Sequence, residues 1–127
     1  MIDDRKEYID GVCLNGITTV AGSYREVLHA LSFDESTYVA IMTYSHPFDH
    51  EILAFCLKQP HAYIGMMGSR RKVEITKKKF IEECIGTKEE LQLVDMPMGI
   101  DINADGPEEI SISILAKLLS VKNKILI

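Results

Sequence analysis

The sequence predicts an α/β domain with a doubly wound, mostly parallel sheet and helices on both faces. Short apolar runs alternate with longer amphipathic segments along residues 1–127, the pattern of repeated strand-helix units. Thr37–Thr43 and Ala62–Met67 are nearly unbroken apolar runs, as expected of parallel strands buried on both faces. Crossovers between parallel strands are right-handed, which restricts the topology to doubly wound forms. No repeat, linker or low-complexity stretch divides the chain, so residues 1–127 read as one domain.

The elements follow in order. Thr18–Gly22 is short, β-branched and closed by glycine, a minimal strand. Tyr24, Val27, Leu28 and Leu31 then recur at helical spacing, with Ser23 placed to cap them. Thr37–Thr43 is the clearest strand. Phe48, Ile52, Phe55 and Cys56 fall at i, i+4, i+7 and i+8, which predicts a helix within Phe48–Gln59. Ala62–Met67 is the next strand. A helix from Ser69 carries Val73, Lys77, Phe80, Ile81, Cys84 and Ile85 along one stripe, with Gly86 at its C′ position. Gly86–Val94 predicts a short helical turn, and Met96–Ile102 a last strand broken by Pro97 and Gly99. Asp105–Val121 is the best-signalled helix. Pro107 suits its first turn, Glu108 and Glu109 complement its dipole, and Ile110, Ile114, Leu115, Leu118 and Leu119 form the expected buried face.

Composition excludes several classes. The net charge is −5 and the pI about 5.3, against the basic balance of a general nucleic-acid binder. No apolar run approaches the roughly 18 residues of a membrane span. The first residues, MIDDRKEY, are too charged for a signal peptide. Cys13, Cys56 and Cys84 are odd in number and contain no CxxC pair, so buried, reduced thiols in a cytoplasmic setting are expected.

Ligands of such sheets bind outside the carboxyl ends of the strands. The segments expected there are Asp3-Asp4-Arg5, Gly22-Ser23, Thr43–Asp49, Gly65–Arg71 and Pro97–Asp101. In the fourth, Gly65 permits close approach to the backbone and Gly68 can take a positive φ. Ser69 can cap a helix whose free N–H groups attract an anion, and Arg70 and Arg71 add forked donors. The same spacing also suits a plain strand-helix turn with solvated arginines. Lys77, Lys78 and Lys79 read as a solvated helix face.

Ser45, His46 and Asp49 lack the strained elbow of a hydrolase nucleophile. His46 and His50 lack a third metal ligand. Thr43, His46 and Asp49 are instead expected to contact a ligand or to cap the following helix. His29 and His61 read as surface or turn histidines. No G-x-G-x-x-G occurs. Asp3-Asp4 stands where the ribose-binding acid at the end of a second strand is expected, with the first strand, turn and helix missing before it.

DDRKEY (3–8), TYVAIMTYSHPFDHEIL (37–53), AYIGMMGSRRK (62–72) and PMGIDINADGPEEISISILAKLL (97–119) together resemble the C-terminal domain of the XdhC/CoxI family, accessory factors of xanthine dehydrogenase and related molybdenum hydroxylases. The resemblance covers nearly the whole chain. It implies a Rossmann-like fold and a non-enzymatic role: binding molybdenum cofactor (molybdopterin), assisting its sulfuration and handing it to the apo-hydroxylase. Implied partners are that hydroxylase, a cysteine desulfurase, and a second copy or partner chain supplying the missing strand. Thr43, His46, Asp49, Gly65, Gly68, Ser69, Arg70, Gly99, Asp101, Pro107 and Glu109 match the family pattern. With Asp4, Arg5 and Arg71, the loop residues among them are the expected cofactor-binding set. Tyr44 stands where the family often has histidine, and Lys117 where an acidic residue is common. The family's Gly-rich first strand-turn-helix and small N-terminal domain are also absent, which implies an N-terminally truncated domain.

Two other readings stay open. One is an NAD(P)-dependent oxidoreductase or nucleotide-binding domain, against which the missing glycine turn counts. The other is an interaction domain that docks on a hydroxylase or a second accessory chain.

Overall fold

A computed structural model describes residues 1–125. Among them, strands and helices follow in the order β1 (Ile2–Asp3), α1 (Lys6–Ile9), β2 (Val20–Ala21), α2 (Tyr24–Ala30), β3 (Tyr38–Ile41), α3 (His46–Cys56), β4 (Tyr63–Met66), α4 (Arg70–Glu82), α5 (Lys88–Gln92) and α6 (Gly106–Lys122). The strand-helix alternation and the parallel pairing are those of a Rossmann-like fold.

β1 pairs with β2 and β3 with β4, both in parallel. Among the described residues no ladder joins the two pairs. The expected last strand shrinks to a bridge between Asp95 and Gly65. Asp95 N–H donates to Ile64 O, Met66 N–H to Asp95 O and Met98 N–H to Met66 O. Pro97 has no N–H to extend the ladder, and Gly99, at φ +110°, turns the chain away.

Alternate residues of β4 serve opposite faces, as the period of a strand requires. Ile64 and Met66 enter the larger core with Ile41, Leu53, Val73, Phe80 and Leu91. That core is closed by α2 to α5. Tyr63 joins Met98 and Ile114 in a smaller core under α6. Helices therefore lie on both faces of the β3–β4 pair, with α6 packed over β4 at Tyr63 and the corresponding face of β3 left exposed.

Several expectations are corrected. Thr37–Thr43 is not buried on both faces: Val39 and Ile41 point into the large core, while Tyr38, Ala40 and Met42 are exposed. α6 buries Ser113, Ile114 and Ser120 and half-buries Ile110 and Leu118, but Leu115 is 59% and Leu119 55% exposed. Apolar residues of α6 spread beyond one face, and the described chain covers only one stripe of the helix. The left-handed residue ending α4 is Cys84, at φ +55°, not Gly86. Ile85 N–H and Cys84 N–H donate to the carbonyls of Phe80 and Ile81, a Schellman motif. Gly86 instead packs near Leu57 and Leu91. Only Cys56 is buried, its thiol pushed up to about 11 by desolvation; Cys13 and Cys84 are exposed.

α5 carries a full capping box. Glu90 N–H donates to Thr87 Oγ1 and Thr87 N–H to Glu90 Oε2. The short β1, which precedes the Asp4-Arg5 loop, and α1 have no sequence signal strong enough to define them.

Candidate functional site

The loops after β4 and after Asp95, with the start of α6, enclose a cleft of about 530 Å³. Gly68, Ser69, Arg70, Gly99 and Asp101 all line it, so five of the expected site residues come together. Ser69 is the N-cap of α4, its Oγ accepting from Lys72 N–H. The N–H groups of Arg70 and Arg71 lie in the first turn, where no intrahelical acceptor exists. That turn holds no acidic residue, so no side chain of α4 itself offsets the positive end of the dipole. Arg70 Nη2 reaches Asp101 Oδ2 at 2.8 Å across the cleft mouth, with both side chains well exposed. Such a pair is weakly held and free to exchange partners.

Gly68 does not adopt the positive φ expected of it; the left-handed positions of this cleft are Gly99 and Asn103. A Cβ on Gly68 would meet only Lys72 Cβ at 3.7 Å, so that side is open. Gly65 differs. β4 runs on to Met66, and a Cβ at Gly65 would meet Tyr63 Oη and, at 2.6 Å, Met98 Sδ. Its missing side chain makes room for the protein's own core. Arg71 is exposed and outside the cleft lining.

One residue without a motif, outside the cleft lining, braces the Pro97–Asp101 loop from behind. Asp95 Oδ2 accepts from Tyr63 Oη at 2.7 Å and from Gly99 N–H at 2.9 Å. Burial, and then this bond, push the Tyr63 phenol far above its usual range, so it stays a donor. Ser113 Oγ donates to Ile100 O at 2.6 Å and ties α6 to the same loop. Glu109 Oε2 accepts from Asp105 N–H at the start of α6. Tyr63 and Asp95 are 32 residues apart, beyond any local pattern.

The Asp4-Arg5 loop forms a second cluster, outside the cleft. Arg5 pairs with Asp3 through Nε and Nη2, which holds the Asp3 carboxyl below its usual value. Its guanidinium lies 4.1 Å from the Tyr8 ring centre and 4.0 Å from that of Tyr44. Tyr44 Oη donates to the Asp4 carboxylate at 2.8 Å, which raises its own pKa. Tyr44, the departure from the family pattern, thus links the segments after β1 and β3.

Thr43 and Asp49 face inward. Asp49 is buried, and its Oδ1 accepts from Thr43 N–H at 3.0 Å and Thr43 Oγ1 at 2.6 Å. The pair braces the β3–α3 turn. His46 is half-buried, with Nδ1 at 3.8 Å from Asp49 Oδ2, and its Nε2 has no partner among the described residues. His50 shares a hydrogen bond with Thr76 Oγ1 at 2.8 Å. Burial, with His46 beside it, lowers its pKa. Among the described residues no group of three or more His, Cys, Asp or Glu is placed to hold a metal ion. No described helix is long and apolar enough to cross a membrane.

Parallel strands, helices on both faces and a glycine-bearing cleft at the strands' carboxyl edge define a Rossmann-type domain. Residues 1–118 match the XdhC Rossmann domain, and the chain belongs to that family. It is 35% identical over 103 residues to the uncharacterized protein YqeB of Escherichia coli K12, covering 81% of this chain and 18% of that protein. It is 26% identical over 100 residues to a probable xanthine dehydrogenase subunit of Bacillus subtilis 168, covering 79% and 28%. A crystal structure described as a xanthine dehydrogenase from Bacillus halodurans superposes with a TM-score of 0.69 at 28% identity, over 84% of this chain and 29% of that one. The chain thus spans less than a third of the length of each of these relatives.

Proposed function

We propose that the chain is an accessory domain that binds molybdenum cofactor, as cargo, in the Ser69–Asp101 cleft and assists its sulfuration and insertion into a xanthine dehydrogenase-type hydroxylase. The observation that carries this reading is the acid-free N-terminus of α4 opening into the cleft beside Arg70. The pterin's phosphate is drawn to free helix N–H groups and to a guanidinium. Arg70 would exchange Asp101 for that phosphate. The volume suits a small organic ligand, and Met67, Met98 and Ile110 offer apolar contact to its ring. Membership of the XdhC family and the xanthine dehydrogenase names of two relatives support the choice of cargo and client.

The test is to express the chain in a cofactor-producing host and measure retained ligand by mass and absorbance. Wild type is expected to carry molybdopterin. The Ser69→Ala plus Arg70→Ala double variant is expected to bind at least about tenfold more weakly, the effect of losing one charge-assisted hydrogen bond. A folded double variant that binds like wild type overturns the assignment. Saturable binding of NAD(H) or NADP(H), with no retained pterin, would favour the nucleotide reading instead.

A further inference from the structure

α4 and α5 leave between them a hollow of about 350 Å³. It shares no lining residue with the cleft, and Lys78 in its wall lies about 12 Å along α4 from Arg70. Leu91, which is buried, and Ile81, 46% exposed, give it an apolar lining. Lys77 and Lys78 from α4 and Lys88 from α5 stand around that lining. Two of the three lysines that read as a solvated helix face therefore wall a concave, partly apolar surface.

The charge here runs against the balance of the chain. Arg70–Lys79 holds six basic residues and one acid, Glu74, in a chain of net charge −5. The dipole of α4 accounts for Lys79, in its last turn. It does not account for Lys88, which follows the N-cap Thr87 at the positive end of α5. Lys77 reaches Glu74 at 3.7 Å and Lys78 reaches Glu82 at 3.8 Å, both within α4. Exposed pairs of this kind hold little energy and exchange readily. Among the described residues Lys88 forms no ion pair.

The complement of this surface is an apolar side chain flanked by carboxylates. The side chain enters against Ile81 and Leu91, and the carboxylates reach lysines on both helices. A peptide meets that pattern and a uniform polyanion does not. Glu74 lines the hollow, and Glu82 and Glu89 are exposed on the same two helices, so a lipid surface or a nucleic-acid strand would face those carboxylates as well. Among the described residues the lining holds no aromatic ring on which a base could stack.

We propose that the α4–α5 hollow is a docking site for an acidic segment of a partner protein, whose apolar side chain seats against Ile81 and Leu91 while its carboxylates pair with Lys78 and Lys88. This is independent of what the cleft binds.

The probe is a displayed library of random peptides of about 12 residues, roughly three helical turns, selected against the whole chain at low salt. Enriched sequences are expected to carry an apolar residue flanked by acids, and a synthetic member to form a one-to-one complex by mass. Its affinity should fall by about tenfold or more in the Lys78→Glu plus Lys88→Glu variant. Both lysines are exposed, so that variant should keep the unfolding midpoint of wild type. Lysines in place of the peptide's acids should restore binding to it. Serine in place of the peptide's apolar residue should weaken binding to wild type by about tenfold. Lys79→Glu, a charge outside the hollow, should leave binding unchanged. A short thymidine oligonucleotide and phosphatidylglycerol vesicles are measured alongside. The proposal is overturned if no acidic set is enriched, if the double variant or the serine peptide binds as tightly as the parent pair, or if the oligonucleotide or the vesicles bind these lysines more tightly than the peptide.

Discussion

Gly99→Ala is expected to destabilise the domain by roughly 2–5 kcal/mol, through strain at an unfavourable φ and overpacking against α6. Gly99 sits at φ +110°, where an L side chain is strained whatever space is offered. Its Cβ would also meet Ser113 Oγ and approach Ile114 N at 3.3 Å. Ser113 is buried and donates to Ile100, and a helix backbone cannot move locally. The loop must then lift away from α6, opening the cleft. Urea unfolding should show a lower midpoint with an unchanged slope. A midpoint within error of wild type would remove Gly99 as a determinant of the loop.

Asp95→Ala is expected to cost about 3 kcal/mol, the loss of two hydrogen bonds to a carboxylate at about 1.5 kcal/mol each. Tyr63 Oη and Gly99 N–H both lose their acceptor. Tyr63→Phe removes only the first bond and should cost about 1–1.5 kcal/mol. The difference between the two variants isolates the bond that sets the direction of the Pro97–Asp101 loop. Ligand binding in the cleft should therefore fall in Asp95→Ala and hold in Tyr63→Phe. Equal binding in both would mean that Asp95 supports the core but not the cleft.

Much of the fold is legible in local pattern. β3, β4, α3 and α4 each have several turns or residues of consistent periodicity, and the carboxyl-edge loops follow from their alternation. The cleft formed by Ser69, Arg70, Gly99 and Asp101 is accessible for the same reason. β1 is two residues long, too short to carry a period. Leu115 and Leu119 read as core because helical spacing records apolarity and not whether a covering layer exists. Asp95 carries no local signal, because its acceptor role depends on Tyr63 and on a turn four residues later. Thr43 and Asp49 stand out in the sequence as residues expected to meet a ligand or cap α3, and only geometry shows that their hydrogen bonds are made to each other.

The Tyr44–Asp4 bond also says something about the order of folding. Its partners stand 40 residues apart, and closing a loop of that length costs more chain entropy than one exposed hydrogen bond returns. The tie therefore forms only after packing has already brought the carboxyl ends of β1 and β3 together, and it registers a finished fold rather than driving one.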